Sequence, residues 1–88
     1  MPHVVINHAV EDVERWLGFK EERASALGDL GSNVTDHVAL DGSNKVAVSV
    51  DVNDLDRFQA VMASPPPELV AGMERHGVIQ PLAVHVEK

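Results

Sequence analysis

The chain has 88 residues, a formal net charge of -7 and no cysteine. This length predicts one domain, residues 1–88, and the acidic balance makes nucleic acid and membranes unexpected partners, because both carry negative charge. Disulfide and thiolate chemistry are excluded, and the start of the chain has no signal-peptide pattern, so a cytoplasmic location is expected.

The first two predicted elements are a strand and a helix. Residues 3–8 are rich in β-branched side chains and too short for a helix, which favours a strand. Over residues 13–27, apolar side chains recur at steps of three and four, which is typical of a helix with one buried face. Asp12 or Glu11 can stabilise the positive N-terminal end of this helix.

The helix carries alternating charges. Arg15, Lys20 and Arg23 lie among three glutamates, which indicates a solvated face with weak ion pairs and no binding patch.

A hairpin follows the helix. Gly28 and Gly31 bracket the predicted helix end, because glycine adopts the left-handed conformation that ends helices. Residues 33–40 and 45–52 are two strands, and residues 41–44, Asp-Gly-Ser-Asn, have the composition of a tight turn between them.

The remaining chain predicts a divided helix and a last strand. Asn53 or Asp54 can cap the helix, and the proline run of residues 64–67 ends it and opens a second helix that stops near Gly77. Pro81 limits the start of the last strand. Apolar residues alternate along that strand: Leu82, Val84 and Val86.

The order of these elements is strand, helix, strand, strand, helix, strand. It predicts an α+β, ferredoxin-like fold, with an antiparallel sheet of order 4-1-3-2 and the helices on one face. The alternating valines of the third and fourth strands belong under the helices. The opposite face carries small and polar residues, among them Val5, Ala39, Ala47, Ser49 and Ala83.

Two segments resemble a known superfamily. Residues 8–16, HAVEDVERW, resemble the pattern H-x-V-x-D-x-x-x-W of small dimeric α/β-barrel proteins, which include antibiotic-biosynthesis monooxygenases and uncharacterised members. Residues 54–65, with Glu68-Leu69 and Met73, resemble the helix pair D-x-x-x-F-x-x-x-x-S-P-E-L of the same superfamily. The resemblance implies that two sheets pack face to face in a homodimeric barrel.

Three residues are predicted to line a ligand-binding cleft. His8 ends the first strand on the helix side, and Trp16 and His76 can converge on it. Such a pocket has an aromatic wall, an imidazole that can act as a base, and methionine lining from Met62 or Met73. The alternative is structural, with Trp16 as a core anchor and His8 as a hydrogen-bonding group.

No other group of residues indicates a site. The spacing of His3, His37 and His85 does not predict a metal site, and hydrogen-bonded histidines in a dimer interface are the favoured interpretation. The aspartates at helix starts fit capping roles, no nucleophile or phosphate motif is present, no cofactor is expected, and no catalytic residue is assigned.

Three interpretations of function follow. The leading one is a homodimer, formed through the sheet face, that binds a small apolar or aromatic molecule between sheet and helices. The second, which the resemblance allows, is a cofactor-independent monooxygenase, cyclase or isomerase acting on an aromatic or polyketide-like substrate; the absence of tyrosine weighs against it. The third is an amino-acid-sensing domain, against which the lack of a glycine after the first strand argues.

Overall fold

A computed structural model describes residues 2–88, so Met1, the first residue of the predicted domain, lies outside the described part. Within residues 2–88 the chain forms four strands and four helices. In chain order these are β1 (His3–Val10), α1 (Val13–Leu17), α2 (Lys20–Leu27), β2 (Gly31–Val38), β3 (Lys45–Val52), α3 (Leu55–Ala63), α4 (Pro67–His76) and β4 (Val78–Val86).

The strands form one antiparallel sheet of order β2-β3-β1-β4, which is the predicted order read from the other edge. The predicted α+β, ferredoxin-like fold is therefore confirmed. Val4 pairs with Val50 and Ile6 with Val48 across the two central strands. This register places their side chains on one face, as the period of two requires.

The core lies between that face and the helices. Its buried apolar residues are Val4, Ile6, Val10, Trp16, Leu27, Leu30, Val46, Val48, Val50, Val52 and Phe58. The valines of β3 are buried as predicted. Val84 and Val86 of the edge strand β4 stay 44% and 38% exposed, because a shallow groove separates them from α3.

The predicted helix caps are confirmed. The Asp12 side chain accepts a hydrogen bond from the Arg15 amide at 3.3 Å, and Asp54 accepts one from the Arg57 amide at 3.2 Å. Gly77 ends α4 with φ of 77°, a left-handed conformation that glycine adopts without a steric penalty. None of the helices in the described residues is long and apolar enough to cross a membrane.

Several predicted boundaries were wrong. β1 continues past its predicted end at His8 to Val10, and β2 runs over Gly31–Val38 instead of residues 33–40. The first helix is divided at Gly18 and Phe19, since glycine is a poor helix former and Phe19 leaves the helical conformation. α2 ends at Leu27 with Gly28 as its C-cap, as predicted, although Gly28 has a right-handed conformation with φ of -60°. Gly31 is not part of this stop signal. It starts β2, opposite Val52, where a Cβ atom would collide with the Asp51 carbonyl.

The start of β4 was also predicted wrongly, because the strand begins at Val78 and not after Pro81. Asn7 pairs with Ala83 and Ala9 with Ile79, so one residue of β1, His8, lies opposite three residues of β4. Pro81 is tolerated inside this strand because it lies in that irregular segment, where the regular ladder is interrupted.

Candidate functional site

A cavity lies between the sheet and the helices, and His8, Trp16 and His76 all line it. The rest of its wall is mostly apolar and includes both methionines considered from the sequence, Met62 and Met73. The cavity has a volume of about 80 Å³, counted as the positions that the centre of a water molecule can occupy. By the same measure one water needs about 10–15 Å³. The cavity therefore has room for a small organic molecule.

His8 projects from β1 into this cavity as a neutral imidazole. Its Nδ1 donates a hydrogen bond to the Ala9 carbonyl at 3.0 Å, which leaves Nε2 as the unprotonated acceptor. Burial lowers the pKa of His8; the Ala9 hydrogen bond opposes that shift, and the positive charge of Arg23 adds to it. A neutral imidazole with a free Nε2 can accept a hydrogen bond or a proton from a bound molecule.

Trp16 forms a fully buried wall of the cavity. Its ring meets the His8 ring edge-on, with centroids 6.0 Å apart and planes at 77°. The Arg23 guanidinium carbon lies 4.0 Å from the centroid of the Trp16 ring, a cation–π contact. Within the described residues, the buried Trp16 Nε1 has no hydrogen-bond partner. A bound molecule that offers an acceptor would satisfy this donor.

Arg23 was missed by sequence reasoning. It was expected on a solvated helix face, but it is buried and forms two hydrogen bonds with Asp36 of β2, Nε to Oδ1 at 3.0 Å and Nη2 to Oδ2 at 2.6 Å. Its Nη2 also donates to the Trp16 carbonyl at 3.0 Å. The spacing of seven residues from Trp16 to Arg23, two helical turns, was the available signal, since it places both on one side of the helical segment.

His76 closes the cavity at the end of α4. Its ring stacks on Phe19 with centroids 4.5 Å apart, and its Nδ1 accepts a hydrogen bond from Arg23 Nη1 at 3.3 Å. Burial is the main cause that lowers the pKa of His76, and the charge of Arg23 is the next. Because Nδ1 accepts, the proton of the neutral ring lies on Nε2.

The other three histidines lie on the opposite sheet face and do not converge. His3 pairs with Asp51 at 2.8 Å, His37 Nε2 lies 2.9 Å from the Ser49 hydroxyl, and His85 accepts from the Asn7 amide at 3.2 Å. Among residues 2–88, no three histidine, aspartate or glutamate side chains are grouped as ligands for a metal ion.

Solved structures with this arrangement of elements align with the chain over nearly its whole length. An antibiotic biosynthesis monooxygenase aligns with a TM-score of 0.66 and 11% identity over 100% of this chain and 97% of its own. A protein named as a candidate antibiotic biosynthesis monooxygenase from Bordetella bronchiseptica aligns with a TM-score of 0.67 and 16% identity over 99% of this chain and 94% of its own. This chain shares their fold. The predicted structural resemblance is therefore confirmed at the level of the fold.

A third structure, named in the same way and from Deinococcus radiodurans, aligns with a TM-score of 0.63 and 11% identity over 100% of this chain and 91% of its own. No protein-family model and no curated protein sequence matches the chain. The likeness therefore lies in the fold, and the chemistry of the cavity has to be argued from its own residues.

The lowered pKa values of His8 and His76 predict that the folded protein loses stability in acid. The unfolded chain takes up protons at these histidines near their ordinary pKa of about 6.5, whereas the folded protein takes them up at lower pH. The contribution of these two histidines to the free energy of unfolding should be complete above their ordinary pKa. It should decrease as the pH drops toward their lowered pKa values. Urea unfolding at a series of pH values measures this dependence.

Variants His8→Gln and His76→Gln should flatten the pH dependence, and His85→Gln, on the opposite sheet face, is the matched control. An unchanged slope in both cavity variants would contradict the assignment of the acid sensitivity to them.

Proposed function

We propose that the protein binds a small apolar or aromatic molecule in the cavity beside His8 and Trp16. The observation that carries the proposal is the cavity itself, which is built from apolar side chains with few polar atoms, as small-molecule sites are. Met62 and Met73 supply flexible side chains that adapt to the shape of a ligand.

The polar atoms of the cavity favour an uncharged group in the part of the ligand that lies inside it. Arg23, its one charged lining residue among those described, is neutralised by Asp36 and uses all three guanidinium nitrogens in hydrogen bonds. His8 Nε2 is a free acceptor and Trp16 Nε1 an unpaired donor. A charged group would therefore be desolvated there without a partner.

We expect His8→Ala to weaken ligand binding without unfolding the protein. His8 is half-buried and contributes one hydrogen bond and an edge contact, so its loss should change the melting temperature little. Trp16 is the single tryptophan of the chain and reports binding by its fluorescence. The titration uses a panel of uncharged aromatic compounds from toluene to naphthalene.

A response of Trp16 fluorescence that saturates in the natural protein and is weakened in His8→Ala at unchanged melting temperature would support the site. A large drop in melting temperature, with no ligand found across the panel, would return His8 and Trp16 to structural roles.

The second candidate function is a cofactor-independent monooxygenase, cyclase or isomerase with an aromatic or polyketide-like substrate. Its support is the names of the structures that share the fold, together with the neutral imidazole of His8, which can accept a proton from a bound substrate. Oxygen consumption with electron-rich phenols tests the monooxygenase activity. Turnover that His8→Ala abolishes would favour it, and binding without turnover would favour the binding function.

The same proposal includes a homodimer formed through the exposed sheet face. That face carries small side chains such as Val5, Ala47 and Ala83, and several of its polar side chains are paired with one another, as in His37 with Ser49. Covering it with a second copy would bury apolar surface that a chain of 88 residues leaves open. Two sheets stacked in this way would form a closed barrel.

We expect Ala47→Asp to dissociate this dimer and to lower its stability, because the new carboxylate would be buried without a partner. Light scattering at micromolar concentration should report about twice the chain mass of 9.5 kDa for the natural protein and a smaller mass for the variant. Ala60→Asp, on the exposed side of α3, is the matched control and should remain dimeric. A stably folded monomer of the natural chain would contradict the proposal.

A further inference from the structure

A second, more polar space adjoins the cavity on the helix side. This groove lies among α2, α3 and α4 and has a volume of about 590 Å³ by the same measure as the cavity. Ala26, Leu69 and His76 line both spaces. The groove and the cavity therefore share a wall, and a molecule that fills the cavity can reach the groove once the Leu69 side chain shifts.

One carboxylate of the protein occupies the junction of the two spaces. Glu22 of α2 lines the groove, and one of its oxygens accepts a hydrogen bond from Nη2 of Arg75 on α4. Its other oxygen lies 3.6 Å from His76 Nε2. The Glu22 carboxylate thus lies between a guanidinium group and an imidazole N–H.

The His76 N–H is a donor without a hydrogen bond. His76 Nε2 is buried and carries the proton, because Nδ1 accepts from Arg23, yet no partner in residues 2–88 lies within hydrogen-bond distance. The Glu22 oxygen is the nearest charged acceptor and stops short of it. A buried donor left unpaired is unfavourable and marks a place where an acceptor from a ligand fits.

We propose that this junction binds the carboxylate of an amphipathic acid whose apolar part lies in the cavity, so the inference rests on the proposed binding function. Arg75 and His76 donate hydrogen bonds to that carboxylate, which takes the place of the Glu22 carboxylate. Glu22 is thereby an internal competitor for the site.

The donors at the junction favour an acid over a base at this position. Arg75 and the His76 N–H both donate there, so a carboxylate finds two hydrogen-bond partners. Arg57, Asp29 and Glu68 also line the groove, so its other charges are of both signs. Displacing Glu22 removes one negative charge and the ligand restores it.

Displacement of Glu22 is energetically easy. The Glu22 and Arg75 side chains are 40% and 51% exposed, and ion pairs with this exposure contribute little to stability. The Glu22 side chain can turn into solvent without leaving a buried charge behind. A ligand carboxylate that is anchored by its apolar part in the cavity makes the same contact with Arg75 and the missing contact with His76.

Calorimetric titrations with three probes test the inference: ethylbenzene for the cavity alone, 3-phenylpropanoate for cavity and carboxylate, and 3-phenylpropanamide as the uncharged isostere. In Glu22→Gln, we expect the acid to bind about tenfold tighter than it does to the natural protein, because the competing carboxylate is gone. Binding of ethylbenzene should not change. Adding Arg75→Gln to Glu22→Gln should remove the gain for the acid.

Glu21→Gln is the matched control, because it removes the same charge from an exposed position of the same helix that does not line the groove. Equal affinity for the acid and the amide in Glu22→Gln, or the same gain in Glu21→Gln, would overturn the carboxylate site and leave the cavity standing if ethylbenzene still binds. Failure of ethylbenzene itself to bind would overturn the binding function and, with it, this inference.

Discussion

We expect Arg23→Met to lower the free energy of unfolding by about 3–5 kcal/mol, because it leaves Asp36 as a buried charge without a partner. The Arg23 and Asp36 side chains are 8% and 3% exposed and share two hydrogen bonds, so water does not screen the remaining carboxylate. Methionine keeps most of the apolar length of the side chain and its contact with the Trp16 ring. Urea unfolding measures the change.

The double variant Arg23→Met/Asp36→Leu is the control for this effect. Replacing both partners with apolar residues of similar size removes the unpaired charge and should recover most of the lost stability. If Arg23→Met alone changes the free energy of unfolding by less than about 1 kcal/mol, the pair is not buried as described.

Trp16→Ala should be comparably destabilising, by about 3–5 kcal/mol, because it removes the largest side chain of the core. The loss also leaves the Arg23 guanidinium without its aromatic partner and enlarges the cavity. A domain has only about 5–15 kcal/mol of stability in total, so this variant stands close to unfolding. Urea midpoints, or circular dichroism if no folded baseline remains, report the change.

Trp16→Phe is the milder companion, since it keeps an aromatic ring in contact with His8 and Arg23 while removing Nε1. It should lose clearly less stability than Trp16→Ala. Equal losses in the two variants would contradict a packing role for the ring. Because Arg23 and Trp16 touch, their effects should not add in a double variant.

The sheet order could be predicted because apolar and polar residues alternate along the strands. The valines at every second position of β3 identify the face of the strand that is buried. The turn at residues 41–44 fixes the β2–β3 hairpin. The position of His8 at the helix side followed from the same alternation. That His8, Trp16 and His76 line one cavity was predictable from topology, because the end of β1, the start of the first helical segment and the end of α4 meet at the same end of the strands.

The buried polar contacts were not predictable in the same way. Arginine is a residue type usually found at the surface, and only the pairing of Arg23 with Asp36 on the next strand, β2, makes its burial favourable. The irregular segment of β4 also escaped sequence reasoning, since Pro81 is a usual strand boundary and its place inside a strand depends on the register of β1 with β4.

The most direct measurement of ligand binding in the cavity follows the indole N–H of Trp16 by nitrogen-15 NMR. The chain contains one tryptophan, so the spectrum has one such signal, from an atom that is buried and unpartnered in the cavity wall. On titration with ethylbenzene, the signal should shift and saturate, while amides on the opposite sheet face stay in place. A Trp16 signal that does not move up to millimolar ethylbenzene, in a protein that remains folded, would contradict the proposed binding function.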